Sequence, residues 1–365
     1  MLPFFDAHLD LACLAELGRD MSRDPSTCGG PWQPAALTFP SLAEGRVRFM
    51  LGTIFTEAGG TDAVGYPPGD AQAAHLRGLA QLSRYHAWDE QRVLKIVPSP
   101  LLNRAVAPAL GLPFTLACLD ATAPRCLLLM ECADPIRSPD ELPFWVERGL
   151  AAVGLAWARG SRYAAGNAEP SCLAPYGLTS EGRELVRAMD MLGLVHDVSH
   201  LSDRAFDEVL ELASGPVMAS HSNSRAIVSR GQSSREPPPF GHRHLTDDQI
   251  RRLVARDGVI GLNLFSKFIR ADLSGGRRPS VAEAIDHVEH ICAIAGHRRA
   301  VGLGSDLDGG LTAEQLPEGI SRPADFVKLI EELSRRGWTQ EDIEGFAWRN
   351  WARFWRIDQR GQAER

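Results

Sequence analysis

The sequence predicts an α/β fold, a (β/α)8 barrel of the TIM type. Three observations carry this. About eight short apolar runs alternate with helix-like stretches from one end of the chain to the other. Several of those runs finish on a residue that can bind a metal ion: His8 with Asp10, Glu131, His200 and His221. A run of four to six apolar residues that ends this way is the pattern of a buried parallel strand whose C-terminal end faces a site. The 365 residues, 44% hydrophobic and 23% charged, also suit one barrel better than a disordered or fibrous chain.

Strands are expected near 4–8, 47–54, 126–130, 152–156, 195–199, 216–220, 258–264 and 300–305. Eight is the number that closes a parallel barrel. Helices are expected between them. Residues 179–193 place Leu185, Val186, Met189 and Leu192 on one face and stop at Gly193. Residues 202–214 open at Ser202 and carry Phe206, Val209 and Leu210. Thr246 with Gln249, and Ser280 with Glu283, are capping boxes ahead of apolar periodic runs. Two last helices, 323–336 and 339–356, follow the eighth strand. Trp348, Trp351, Phe354 and Trp355 in the second read as a stripe packed on the barrel. Segments 21–40, 58–70 and 229–244 are longer than ordinary barrel connections, as loops that shape a substrate pocket are. No repeat or linker divides the chain, so 1–365 reads as one catalytic barrel with long catalytic-face loops and C-terminal helices.

The net charge of −7, with no basic block, argues against nucleic acid as a partner. Seven cysteines, odd in number and without a Cys-x-x-Cys, read as reduced buried thiols. The start lacks a basic segment and a long apolar stretch, and no run approaches a membrane span. A cytoplasmic protein with no membrane partner is expected, and a homodimer is compatible with it. The polar tail after Ile357 is expected to fray.

His8 and Asp10 stand at i and i+2, so both leave the same face of an extended strand. So placed, they can hold one divalent ion. Such pairs are common, and alone this one reads rather as a histidine capping a barrel end and an aspartate starting a loop. Glu131 follows four apolar residues. A buried carboxylate needs a cation or a proton, and its two oxygens can bridge two metals about 3.5–4 Å apart. His200 and His221 close runs one strand–helix–strand unit apart. Neutral imidazoles suit Zn2+, and with a shared carboxylate they make a second site. Four ends with the same ligand chemistry point to a metal centre that hydrolyses something.

His196 shares a face with His200 but lies about 13 Å along the strand, and reads as a core or supporting histidine. Cys132 reads as a small core residue, because neighbours on a strand point to opposite faces, with a thiolate ligand as the alternative. Asp306 ends the last strand in Gly304-Ser305-Asp306-Leu307-Asp308-Gly309-Gly310. Opposite the metals it could take a proton from activated water or hold a substrate ammonium. Asp308 reads rather as a turn cap.

Taken in order, several motifs together resemble the membrane (renal) dipeptidase family of zinc peptidases. They are Asp6-Ala7-His8-Leu9-Asp10, Glu131, Asp197-Val198-Ser199-His200, Ser220-His221-Ser222-Asn223-Ser224-Arg225, Arg243-His244-Leu245-Thr246-Asp247 and Gly302-Leu303-Gly304-Ser305-Asp306-Leu307-Asp308-Gly309. They cover nearly the whole chain. The resemblance implies a (β/α)8 barrel with two zinc ions. His8, Asp10 and Glu131 would bind one, and Glu131, His200 and His221 the other. Arg243 would match the arginine that grips the substrate carboxylate. Asp306 would match the acidic residue near the substrate amine and the bridging water.

Two features depart from the family. After its fourth strand the family reads Leu-Thr-His, and that histidine helps to polarise the scissile carbonyl. Here the run is Leu155-Ala156-Trp157, and an indole N–H donates one hydrogen bond but cannot become a cation. The 226–242 loop is also longer, and Arg243-His244 replaces the family's Arg-Asn. The reading that results is a zinc-dependent dipeptidase. A hydroxide bridging two zinc ions would attack the amide carbon, with Glu131 and Asp306 catalytic and Arg243, Trp157 and Asp306 facing the substrate. Two alternatives stand beside it: a barrel amidohydrolase acting on another N-acyl or lactone compound, and a metal-binding barrel that does not hydrolyse.

Overall fold

All eight apolar runs form strands, and all of them pair in parallel. The computed structural model of the protein describes residues 2–102, 123–168, 176–230 and 240–357. The strands are β1 (Phe4–Leu9), β2 (Val47–Ile54), β3 (Arg125–Met130), β4 (Leu150–Gly154), β5 (Val195–Asp197), β6 (Val217–Met218), β7 (Ile260–Leu262) and β8 (Val301–Leu303). Their order in the sheet is β7-β8-β1-β2-β3-β4-β5-β6. A parallel bridge between Ala219 and Ile260 brings the two ends of that sheet together. Cys118, Cys172, the Pro237-Pro238-Pro239 run and the tail from 358 lie outside the described residues.

Burial on both faces explains why these strands are apolar runs and not alternating ones. All six residues of β1 are buried. So are all five of β4. The inner face fills the barrel and the outer face meets the helices. At the closure the backbones come so close that a side chain has no room. A Cβ on Gly261 or on Gly304 would lie 1.9 Å from the Ser220 carbonyl oxygen.

Strands β5 to β8 are shorter than the apolar runs that contain them. Their C-terminal ends leave the ladder where side chains claim the backbone. Asp197 Oδ1, for example, accepts the N–H groups of Ser199 and Ser220 at 3.2 and 2.9 Å. A short strand the apolar pattern does not reveal, Lys95–Ile96, adds to the edge of β3.

The helices begin where their caps stand. Thr179, Ser202, Thr246 and Ser280 cap Ser180–Leu192, Asp203–Leu212, Asp247–Val254 and Val281–Ala295. The 339–356 segment is not one regular helix. A π-helical stretch, Gly345–Arg349, joins Gln340–Glu344 to Asn350–Phe354. Asn350 Nδ2 then reaches the carbonyls of Arg298 and Val301 at 2.8 Å each. Likewise 323–336 opens as a 3-10 turn, Pro323–Phe326, before the helix Val327–Arg335.

The tryptophan stripe packs on the barrel. Trp351 is fully buried, stands 6.0 Å from Phe5 between ring centres, and donates its indole N–H to the Leu303 carbonyl at 2.9 Å. Removing this ring leaves a large cavity and takes that hydrogen bond away. Trp351→Ala should therefore destabilise the fold by about 3–5 kcal/mol in denaturant unfolding. A loss under about 1 kcal/mol would show that the stripe does not support the barrel.

Candidate metal centre

The C-terminal ends of β1, β3, β5, β6 and β8 bring six side chains to one point. Three groups form, and within each the potential ligand atoms lie within 4.8 Å of one another. They are His8, Asp10 and Glu131; Glu131, His200 and His221; and His8, His221 and Asp306. All six residues are buried. The strand-end placement that the apolar runs indicated is thus the placement observed.

Glu131 stands at the middle. Its Oε1 is 3.0 Å from His200 Nε2, 3.6 Å from His221 Nε2 and 3.6 Å from His8 Nε2. The His8 and His221 rings stack at 3.5 Å between centres. His200 Nε2 and His221 Nε2 are 3.0 Å apart.

Burial opposes the charge on Glu131, but His8 and His200 hold its carboxyl well below the usual range. Burial likewise pulls His8 down, yet Glu131 and then Asp10 raise it to about 10. Burial lifts Asp10 to about 6 and Asp306 to about 7, with repulsion from Glu131 adding to both. Such a cluster attracts positive charge strongly.

The residues fit divalent ions on two further observations. His8 Nε2 is buried and has no hydrogen-bond partner among the described residues. The tautomer of His221 is fixed so that its Nε2 lone pair faces the cluster. Ser220 Oγ donates to Asp197 Oδ2, so it must accept from His221 Nδ1–H, at 2.8 Å. Imidazole nitrogens with carboxylates are the donor set of Zn2+.

Neighbouring side chains hold the carboxylates in place. Thr53 Oγ1 donates to Asp10 Oδ1. Asn263 Nδ2 donates to Asp306 Oδ2 at 2.8 Å, and Asn223 holds the Asn263 backbone from both sides. Asp306 has φ 59°, and a left-handed backbone of this kind in a non-glycine residue is a cost that functional sites tolerate. Thr53 and Asn263 drew no attention in the sequence, although each is a polar residue in or just beyond an apolar strand. Asp197 and Ser220 stood in the motifs without a role.

The remaining candidates separate clearly. Asp308 is buried away from the cluster, paired with Arg19 and accepting the Leu37 N–H at 2.9 Å, so it ties down the 31–37 segment. His196 bonds Asp190 at 2.8 Å. Cys132 belongs to none of the ligand groups found among the described residues. Arg243 is buried behind the ligands, with Nη1 donating to Ser199 O and Ser222 Oγ at 2.9 and 3.0 Å, and Nη2 to His221 O at 2.7 Å.

A cavity of about 210 Å3 opens over the cluster. Phe55, Trp157, Phe265 and Phe268 are among its walls, and Glu57 and Asp62 stand on the loop after β2. Trp157 meets Phe55 edge-on at 5.2 Å and lies 6.1 Å from the His200 ring. An indole therefore occupies the wall next to His200.

Comparison with known proteins follows the same lines. The family model for membrane dipeptidase (peptidase family M19) matches residues 114–364. An uncharacterised protein from the pqqA 5′ region of Klebsiella pneumoniae is 32% identical over 219 residues, 58% of this chain and 74% of that protein. An uncharacterised dipeptidase of Schizosaccharomyces pombe is 33% identical over 181 residues, 49% of this chain and 39% of its own length. Dipeptidase 3 of Macaca fascicularis is 30% identical over 169 residues, 46% of this chain and 31% of its own. The chain thus spans less than half the length of the yeast and macaque proteins.

Two solved structures share the fold over 98% of this chain, each with a TM-score of 0.76 and 24% identity. One is the metallopeptidase dipeptidase AC, covered over 98% of its chain. The other is a metallopeptidase from Rhodobacter sphaeroides bound to a phosphinate mimic of L-Ala-D-Ala, covered over 99%.

Ser220 supplies a test of the cluster that leaves every ligand intact. Ser220→Ala frees the His221 tautomer and should weaken metal binding by about 10–100-fold in chelator competition. Unchanged affinity would mean that the hydroxyl does not orient His221.

Proposed function

The chain belongs to the membrane dipeptidase family of metallopeptidases, and from that premise we propose that residues 1–365 form one catalytic barrel that hydrolyses the amide bond of small dipeptides with two zinc ions. The observation that carries this reading is Glu131. One carboxylate belongs both to the His8–Asp10 group and to the His200–His221 group. A single carboxylate serving two ligand sets suits a pair of divalent ions. His8, Asp10 and Glu131 would hold one, and Glu131, His200 and His221 the other. When bound, such a pair supplies Lewis acidity toward the scissile carbonyl and a nucleophilic water at neutral pH.

The chain's own residues do the rest. Asp306 borders the cavity with one oxygen held by Asn263, and takes the proton of the attacking water to the leaving amine. Arg243 has five N–H donors and spends three on the protein. Its Nε–H has no partner among the described residues, and Nη2 keeps a second hydrogen. Those two donors form a fork suited to the substrate's terminal carboxylate. Phe268, over which the guanidinium sits at 5.4 Å, walls the cavity.

No helix of the described residues is long and apolar enough to cross a membrane. Among the described residues, five buried free thiols support a reducing, cytoplasmic setting.

Turnover of a dipeptide panel by zinc-loaded protein tests the reading, and no hydrolysis of any member would overturn it. Arg243→Ala should raise KM strongly for free dipeptides and weakly for their C-terminal amides. Equal effects on both would remove the carboxylate role. Metal content measured alongside separates substrate binding from the support Arg243 gives His221.

Trp157 favours a second reading, a substrate whose carbonyl needs less help, such as another N-acyl compound or a lactone. On the dipeptidase reading, Trp157→His should raise kcat/KM for some dipeptides by about 1–3 kcal/mol of transition-state stabilisation. Unchanged rates in a folded, zinc-loaded variant would show that this wall does not face the carbonyl.

A further inference from the structure

We propose that the cavity selects dipeptides whose first residue is basic, lysine or arginine, with the cationic head held at Glu57 and Asp62. The proposal rests on the dipeptidase reading and adds the substrate class.

The first argument is the charge of the cavity. Among the described residues five carboxylates line it, Asp10, Glu57, Asp62, Glu131 and Asp306, and no lysine or arginine does. Asp10 and Glu131 belong to ligand groups, and Asp306 to a third. Glu57 and Asp62 belong to none. Among the described residues, the ion-pair partner of the Glu57 carboxylate is the largely exposed Arg159, at 3.9 Å. Asp62 Oδ1 accepts the N–H groups of Val64 and Gly65 at 3.1 and 3.0 Å, which fixes the carboxylate and leaves Oδ2 for a ligand. With Asp306 serving the substrate's α-ammonium, Glu57 and Asp62 are left to hold a second cation.

The second argument is the wall. Phe55 and Trp157 meet edge-on beside Glu57, so an alkyl stem can lie along two aromatic rings with its charged end at the carboxylates. Aromatic faces and carboxylates together favour a cation over a neutral side chain.

The third argument fixes which residue of the dipeptide is read. Glu57 and Asp62 follow β2, whereas Arg243 lies between β6 and β7. In a ring ordered β7-β8-β1-β2-β3-β4-β5-β6, β2 and β6 are diametrically opposed. Lys267, after β7, adds a further cation on the Arg243 side, in the cavity that shares Phe265. A dipeptide whose carboxylate points to the β6–β7 side presents its first residue to the β2 loop.

The test compares Arg-Ala and Lys-Ala with Leu-Ala, in zinc-loaded wild type and in a Glu57→Gln/Asp62→Asn variant. Both substitutions keep the acceptor oxygens and remove the charge. Wild type should favour the basic substrates in kcat/KM by at least about tenfold, and the variant should lose most of that ratio. A wild-type ratio near one, or a ratio the variant retains, overturns the proposal.

Calorimetric binding of the same dipeptides reads the preference without turnover. Tighter binding of Arg-Ala than of Leu-Ala, lost in the variant, supports the subsite even if no dipeptide is cleaved, in which case the dipeptidase reading alone falls. Equal binding of both overturns the subsite whatever the rates.

Discussion

A buried glutamate surrounded by imidazoles is the constraint on which the rest of this structure depends. Glu131 lies within 3.6 Å of three histidine nitrogens, and little of it is exposed. In a dry interior that arrangement is tolerable only if positive charge sits among the groups. The strands that supply those groups must therefore end at one place. A parallel barrel is the fold that delivers strand ends from far-apart stretches of chain to a common mouth.

The packing serves the same end. The close approach at Gly261 and Gly304 lets β6, β7 and β8 converge beside Ser220. Ser220 links Asp197 to His221 and so sets which nitrogen faces the cluster. Arg243 braces the carbonyls of Ser199 and His221 from behind. Orientation of the clustered side chains is therefore built from backbone and hydroxyl groups of the strand ends themselves, which keeps them stiff. Glu57 and Asp62, which belong to none of the three groups, stand on the β2 side of the cavity above, and Arg243 lies buried behind the cluster on the opposite side of the barrel.

The barrel could be read from the sequence because strands buried on both faces are apolar throughout, and because the helix caps are strong local signals. Thr246 and Ser280 start their helices where the capping boxes stand. The clustering of His8, Asp10, Glu131, His200 and His221 could be read because a charged or imidazole residue that closes a buried apolar strand stands at the mouth of a parallel barrel. The strand ends could not. Pairing of β5 and β6 stops where Asp197 captures nearby N–H groups, a tertiary event that the apolar pattern does not encode. The π-helical stretch at Gly345–Arg349 likewise answers to Asn350 reaching across to Arg298 and Val301. Thr53 and Asn263 were hidden because one polar residue in an apolar run has many harmless explanations. Asp308 looked like a turn cap and is instead the partner of Arg19, 289 residues away in sequence.

The most direct test of the account is the metal content of Glu131→Ala, measured by elemental analysis after exhaustive dialysis, beside the wild type. If one carboxylate serves both ligand sets, wild type holds two ions per chain and the variant holds neither tightly. A variant that retains two tightly bound ions would contradict the claim that Glu131 joins the two sites.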